Sequence, residues 1–279
     1  MKQIKAVICD IDGTIRQKGN LTLSEATKDV LSRLHKQGVL LGLASGRSIE
    51  RELIYCAEKW GMDFQFDLLI GENGAEYYDL TEDKIRGLFV LKREWIKEII
   101  EMMSQFNLNP SIYSHQDKLV MFADTSTLSM NPTVSVYKII EDISEFWAQE
   151  AKKVMYKVKT EQFDAVKKYI EDHPNKNYKG IVTNIAPTFA TIEFVETHVN
   201  KAVPIVEYCH RHQYDIEEVM AFGDTTNDNE MLQACGVGVC LLDGTDDTKA
   251  VADAITEFSN EEDGFAKYVI HHVLEPRGW

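Results

Sequence analysis

Two carboxylates one residue apart, Asp10 and Asp12, close an apolar run from Ala6 to Cys9 and are followed by Gly13 and Thr14. The run is bounded by charge before it and by glycine after it, and reads as a short strand buried on both faces. Carboxylates at the end of such a strand are costly in dry surroundings unless they are paired or bound to metal. In an open parallel sheet, that end of a strand is where ligands sit. Residues two apart on a strand point to the same side, so one carboxylate of the pair can attack or hold a metal while the other moves protons. Taken alone, the segment is equally well a capped turn.

Gly223-Asp224-Thr225-Thr226-Asn227-Asp228 follows a second apolar run and supplies two more carboxylates and an amide. Hard cations such as Mg²⁺ take oxygen ligands of this kind, usually a couple of carboxylates plus substrate phosphate. Helix capping by Asp224 or Thr226 accounts for the loop in isolation; two acidic strand ends in one parallel sheet are harder to explain that way. Ser45-Gly46-Arg47 closes a further apolar run and opens a helix, where a hydroxyl and free backbone N–H groups suit a phosphate oxygen or simply a helix cap. Lys201 stands at a helix start, where the helix dipole mildly disfavours a cation; it is either solvated or holding an anion. No GxxxxGK[ST] segment supports a P-loop, and the sequon at Asn20 carries no weight in a protein of this kind. His271 and His272, on a late helix without carboxylates at metal spacing, read as surface, and Met102, Met103 and Phe106 as helix core.

The elements that must position these residues alternate at both ends of the chain. Strand Ala6–Cys9 leads to a helix capped by Ser24, with Ala26, Val30, Leu31 and Leu34 on one face and Gly38 at its end. A buried strand from Val39 to Ala44, a helix carrying Leu53, Ile54 and Ala57, and a strand from Asp67 to Ile70 follow. From about Thr197 the pattern returns: a helix from Asn200 to about His212, a strand from Glu218 to Phe222, a short helix with Met231 and Leu232, and a strand from Val237 to Leu241. Such alternation implies right-handed crossovers and a parallel sheet. The middle differs. A helix carries Trp95, Ile99, Met103 and Phe106; a hairpin joins Ser111–Tyr113 to Leu119–Phe122; a helix is predicted through Val136, Ile139, Ile140, Ile143, Phe146 and Trp147. A strand near Val154 to Val158, a helix with Phe163, Val166 and Ile170, and a hairpin pairing residues 180–184 with 189–195 complete it. Hairpins and alternation point to an antiparallel sheet covered by helices on one face. The expected organisation is therefore a discontinuous core, residues 1–83 and 197–279, with an inserted α/β domain at 84–196 placed as a cap over the sheet's carboxyl edge.

At 279 residues the chain is long enough for two domains, and 44% hydrophobic with 27% charged residues is an ordinary globular composition. A formal net charge of −15 and the lack of any basic run exclude a nucleic-acid partner. Five scattered cysteines without CxxC spacing read as reduced thiols, and no window approaches the ~20 apolar residues of a membrane span, so a cytoplasmic protein without membrane partners is expected. Nothing in the sequence specifies an oligomeric state.

DIDGT at Asp10–Thr14, the serine of ASGR at Ser45, the lysine of NKAVP at Lys201 and GDTTND at Gly223–Asp228 resemble, in order, the four motifs of the haloacid dehalogenase superfamily. The chain is most similar to its Cof-type (subclass IIB) phosphatases: Asn73-Gly74-Ala75 and the tail Ala250–Ala266 also look like segments of that group. The resemblance implies a doubly wound, Rossmann-like parallel sheet with an inserted cap, and a Mg²⁺-dependent phosphatase of a small phosphorylated metabolite, a sugar phosphate first. It implies Asp10 as the nucleophile forming an aspartyl-phosphate and Asp12 as the acid/base. Mg²⁺ would be held by Asp10, the Asp12 backbone carbonyl and Asp224. Ser45, the Gly46 N–H, Lys201 and Asn227 would bind phosphate, with Asp228 supporting Lys201 or a metal-bound water. Thr is also frequent at the Ser45 position, and either residue supplies the hydroxyl. A phosphomutase or phosphotransferase of the same superfamily shares these motifs. A phospho-accepting signalling module would leave Asp12 and the inserted domain without a role. Tyr113, His115, Asn184 and Glu193 are the residues expected to bear on substrate choice.

Overall fold

The computed structural model describes residues 3–113, 120–130 and 136–279, apart from the side chains of 184 and 185. His115 and the side chain of Asn184 therefore lie outside the described residues. The chain forms two compact units, residues 1–88 with 200–279 and residues 89–199.

The first unit is built on an eight-stranded sheet. Its order across the sheet is Ala254–Ile255, Val237–Cys240, Val219–Gly223, Ala6–Cys9, Leu40–Ala44, Leu68–Gly71, Glu76–Asp79 and Lys84–Gly87. The first six strands pair in parallel and the last two turn back antiparallel. Every residue of Ala6–Cys9, Leu40–Ala44 and Val219–Gly223 is buried, because apolar residues cover both faces of the sheet. On one face packs the helix Glu25–Lys36, whose N-cap Ser24 accepts a hydrogen bond from the Thr27 N–H and whose Val30, Leu31 and Leu34 point inward. The helix Ala202–His212 contributes Ile205, Tyr208 and Cys209 to the other cluster.

The strand Lys84–Gly87, placed by sequence in the insertion, pairs with Glu76–Asp79 and so adds to this first sheet. Neither of these two strands is evident in the sequence, because charged residues interrupt them. Asp79 is buried, and its cost is met by hydrogen bonds from the Thr81 N–H and hydroxyl and from His212. All five cysteines are buried and none is in a disulfide. Among the described residues no helix is long and apolar enough to cross a membrane.

The second unit carries a six-stranded sheet ordered Tyr178–Ile185, Phe189–Glu196, Val154–Lys159, Pro110–Tyr113, Val120–Phe122 and Tyr137–Ile139. All neighbours are antiparallel except the last pair, which is parallel. Helices Arg93–Met103 and Thr160–Asp172 bury Ile96, Ile99, Met103 and Val166 in a core with Ile112, Tyr156, Ile192 and Phe194. The helix predicted through Val136–Trp147 does not form. Residues Tyr137–Ile139 are an edge strand, and Ile143–Trp147 is a short 3₁₀ turn begun by Asp142 and Glu145 in a reciprocal capping box. The helical spacing arose from the sum of these two pieces: Phe146 is fully buried, whereas Val136 is exposed.

Candidate active site

The parallel sheet brings three strand ends side by side. Asp10 follows Ala6–Cys9, with its N–H donating to the Phe222 carbonyl at 2.9 Å; Asp224 follows Val219–Gly223, and Ser45 follows Leu40–Ala44, donating from its N–H to Ile70 at 2.9 Å. Neighbouring strands lie ~4.8 Å apart, so these residues form one row along the carboxyl edge. Carboxylate oxygens of Asp10, Asp224 and Asp228 lie within 4.8 Å of one another, all three residues buried.

Lys201 is the cation of this cluster. Its side chain is completely buried, and Nζ donates to Asp10 Oδ1 at 2.7 Å and to Asp228 Oδ1 at 2.6 Å. The position at the start of helix Ala202–His212, unfavourable with respect to the helix dipole, is thus compensated by two carboxylates. Capping falls instead to Asn200, whose Oδ1 accepts from the Ala202 and Val203 N–H groups. The second oxygen of Asp228 accepts from the backbone N–H groups of Asp224 and Thr225 at 3.0 and 3.1 Å, fixing the loop. Gly223 permits this closeness, since a Cβ there would stand 2.4 Å from that of Asp228.

Burial pushes the Asp10 carboxyl up to about 8 against the pull of Lys201, with the charges of Asp228 and Asp224 adding to the rise. Burial likewise raises Asp224, helped by Asp228 and opposed by Lys18. Asp10 and Asp228 outweigh burial at Lys201 and keep it protonated.

Two groups around Asp224 were not foreseen. The Thr14 hydroxyl donates to Asp224 Oδ1 at 3.2 Å, and Lys18, a largely exposed side chain, reaches Oδ2 at 3.0 Å. Both lie in the loop after the first strand, where no periodicity marks them. Gly13, at φ +91°, makes that loop possible: a Cβ would strike the Lys18 and Asp224 side chains at 2.5 Å.

Asp12 is not part of the acidic cluster. Its carboxylate is gripped by two guanidinium groups: Arg16 donates from Nε to Oδ1 at 3.1 Å, and Arg47 donates from Nε and Nη2 to Oδ2 at 3.1 and 2.6 Å. Arg47 also holds Glu52 at 2.5 Å. Burial alone would raise Asp12, but Arg47 and Arg16 outweigh it and hold the carboxyl below its ordinary value. Gly13 N–H donates to the Arg16 carbonyl at 2.8 Å, a tight return of the chain that carries Arg16 back to Asp12.

Ser45 and Asn227 are linked through Asn73. The Asn73 N–H donates to the Ser45 carbonyl at 3.0 Å, and the Asn73 amide oxygen accepts from Asn227 Nδ2 at 3.1 Å. Asn73 has φ 56°, a left-handed conformation that asparagine tolerates, and Gly74 follows at φ +103°. A Cβ on Gly74 would lie 2.0 Å from the Asn200 carbonyl oxygen, so this turn packs directly on the residue before Lys201. Gly46 lies against the Asn73 amide in the same way. The site residues thus fall into three groups: Asp10, Asp224 and Asp228 clustered, with Lys201 bonded to the first and last; Ser45 and Asn227 joined by Asn73; and Asp12 on the arginine pair.

With all three carboxylates ionised, the state a bound cation favours, they exceed the two lysines beside them, Lys201 and the mostly exposed Lys18, by one negative charge. Hard oxygen donors carrying surplus negative charge fit a small divalent cation.

Known proteins share this architecture. BT1666, a phosphatase from Bacteroides thetaiotaomicron, superposes with a TM-score of 0.76 at 21% identity, over 96% of this chain and 95% of that one. Two Bacillus subtilis relatives named 5-amino-6-(5-phospho-D-ribitylamino)uracil phosphatase align almost end to end. YitU is 25% identical over 94% of this chain and 95% of its own length, and YcsE is 26% identical over 97% and 96%. The profile of the haloacid dehalogenase-like hydrolases matches residues 7–269, every motif of the site included, and the chain belongs to that family.

Proposed function

We propose that the protein is a Mg²⁺-dependent phosphomonoesterase that works through an aspartyl-phosphate on Asp10 and acts on a small phosphorylated metabolite, a sugar or polyol phosphate. The observation that carries this reading is Asp10 itself: a buried carboxylate, fixed by a fully buried lysine and faced by two further carboxylates. Phosphoryl transfer asks mainly for positioning and charge neutralisation, and this cluster supplies both. The substrate class is supported by the two relatives named for a phosphoribityl compound.

Asp10, Asp224 and the backbone carbonyl of Asp12 would hold the cation. Bound there, Mg²⁺ neutralises the surplus charge of the carboxylates and of the phosphoryl oxygens. Asp10 attacks phosphorus as the ester oxygen departs, and Asp12 gives that oxygen a proton. A water then loses its proton to Asp12 and attacks the same phosphorus, releasing phosphate and restoring Asp10. The arginine grip keeps Asp12 ionised in the resting protein, the state that accepts the proton from water; delivering a proton to the leaving group requires that Asp12 first gain one. Lys201, the Ser45 hydroxyl, the Gly46 N–H and Asn227 would hold the transferring oxygens, while Asp228 positions Lys201. Among the described residues the acidic cluster is drawn from the first unit alone, and choice of leaving group is assigned to the inserted unit.

The test is phosphate release from a panel of phosphomonoesters. Hydrolysis is expected with Mg²⁺, is lost in EDTA and is lost in Asp10→Asn. Metal-independent hydrolysis, or near wild-type turnover by the variant, overturns the proposal. Isomerised product without phosphate release marks a mutase instead.

A further inference from the structure

The sheet of the inserted unit has two unlike faces. Tyr156, Val158 and Phe194 point into the helix-covered core. The intervening residues of Val154–Lys159 and Phe189–Glu196 point the other way, and among them Lys157, Thr191 and Glu193 are charged or hydroxylic. Lys153 and Glu193 are both buried and pair at 3.1 Å, with the Lys153 ammonium 5.7 Å from the centre of the Tyr113 ring. Directly across the ladder, Lys157 faces Thr191. The Lys157 Nζ donates to the Thr191 hydroxyl at 2.8 Å and lies 4.8 Å from the centre of the Phe189 ring.

Lys157 is a partly buried cation. Among the described residues no carboxylate pairs with it: Glu193, whose charge acts on it, is engaged by Lys153. Burial lowers Lys157 from its ordinary value; Glu193 opposes that fall and Lys153 adds to it. An ammonium has three donors, and the Thr191 hydroxyl accepts only one. A partly buried cation with no carboxylate partner among the described residues, beside a hydroxyl and an aromatic ring, is the chemistry of an oxyanion subsite.

We propose that Lys157 and Thr191 form a binding site for a small oxyanion, a carboxylate or phosphate, on the polar face of the inserted unit's sheet. Lys157 supplies the charge, Thr191 a second donor, and Phe189 an apolar wall. The oxyanion comes either from a second acidic group on the substrate or from a separate small acid. The first source rests on the phosphatase reading above; the second does not.

The test uses the full chain as wild type, Lys157→Met, Lys157→Arg and Thr191→Val. Two matched substrate pairs differ only in the second acidic group: erythrose 4-phosphate against 4-phosphoerythronate, and fructose 6-phosphate against fructose 1,6-bisphosphate. In parallel, calorimetric titration measures binding of erythronate, which carries no phosphate. A charge-assisted hydrogen bond of ordinary strength makes wild-type kcat/KM favour the acidic member of a pair by ~10-fold or more. That ratio collapses in Lys157→Met, falls in Thr191→Val and is retained in Lys157→Arg. Equal rates within both pairs, together with erythronate binding that Lys157→Met abolishes, identify a separate acid as the ligand and uphold the site. Equal rates together with no erythronate binding overturn it. So does loss of all binding and selectivity in Lys157→Met that Lys157→Arg fails to restore, since that marks a packing role. If no phosphomonoester at all is hydrolysed, the phosphatase reading has failed, and the titration still decides on the site.

Discussion

Replacing Asp10 with asparagine tests the electrostatics of the site separately from its chemistry. The asparagine amide has nearly the shape of the carboxylate and its oxygen can still accept from Lys201, but the negative charge is gone. In the metal-free wild type, the Asp10 carboxyl is pushed from its ordinary 3.8 up to about 8, by burial first and then by Asp228 and Asp224. A folded-state value above the unfolded one means that its contribution to stability is complete below about pH 4. That contribution is lost as pH rises to about 8. At ~1.4 kcal/mol per pH unit this gives a ceiling near 6 kcal/mol. Relaxation and water entry around a buried ion reduce the realised change to about 2–4 kcal/mol. The assay is urea unfolding in EDTA between pH 5 and 9. Wild-type stability should fall across that range relative to Asp10→Asn, with the variant the more stable of the two at pH 8.5. Saturating Mg²⁺ should flatten the wild-type curve, because a bound cation favours the ionised carboxylate. Parallel pH profiles for the two proteins in EDTA would refute the reasoning.

Two further substitutions probe the supports of the cluster. Lys201→Met removes the buried cation between Asp10 and Asp228 and should cost about 3–5 kcal/mol at pH 8 in EDTA. The loss should be smaller at pH 5, where Asp10 takes up a proton; a loss below about 1 kcal/mol at pH 8 in urea unfolding would contradict the buried ion-pair account. Gly74→Ala places a Cβ 2.0 Å from the Asn200 carbonyl oxygen at a backbone φ of +103°. It should destabilise the protein by about 2 kcal/mol or more and lower kcat by displacing Lys201; unchanged stability and turnover would show that the turn yields freely.

The parts of the fold that were legible in the sequence are those in which one physical rule dominates. Ala6–Cys9, Leu40–Ala44 and Val219–Gly223 are covered on both faces, so they appear as unbroken apolar runs, and the acidic residues that follow them stand out by contrast. Tyr137–Ile139 was misread because it is a three-residue edge strand followed by a capped turn, and the apolar positions of the two pieces happen to fall at helical intervals. Glu76–Asp79 was missed because the buried charges at its two ends, Glu76 and Asp79, broke the apolar pattern; Asp79 is satisfied by the Thr81 N–H and His212. In the site, Asp10, Asp224, Asp228 and Lys201 carry recognisable motifs. Arg16, Lys18 and Thr14 do not: they reach Asp12 and Asp224 through a loop whose course depends on Gly13, and loop geometry has no period to read. Arg47 stands in the sequence close to Ser45, but nothing there pairs it with Asp12.

The central claim is that Asp10 carries the phosphoryl group during turnover. The most direct measurement is acid quench of the enzyme in steady state with a phosphomonoester and Mg²⁺, followed by peptide mass spectrometry with hydroxylamine trapping. The account predicts a phosphorylated, hydroxylamine-sensitive Asp10 in the wild type and none in Asp10→Asn. Sustained phosphate release with Asp10 unmodified at every quench time, and a hydroxylamine-sensitive adduct elsewhere or nowhere, would contradict it.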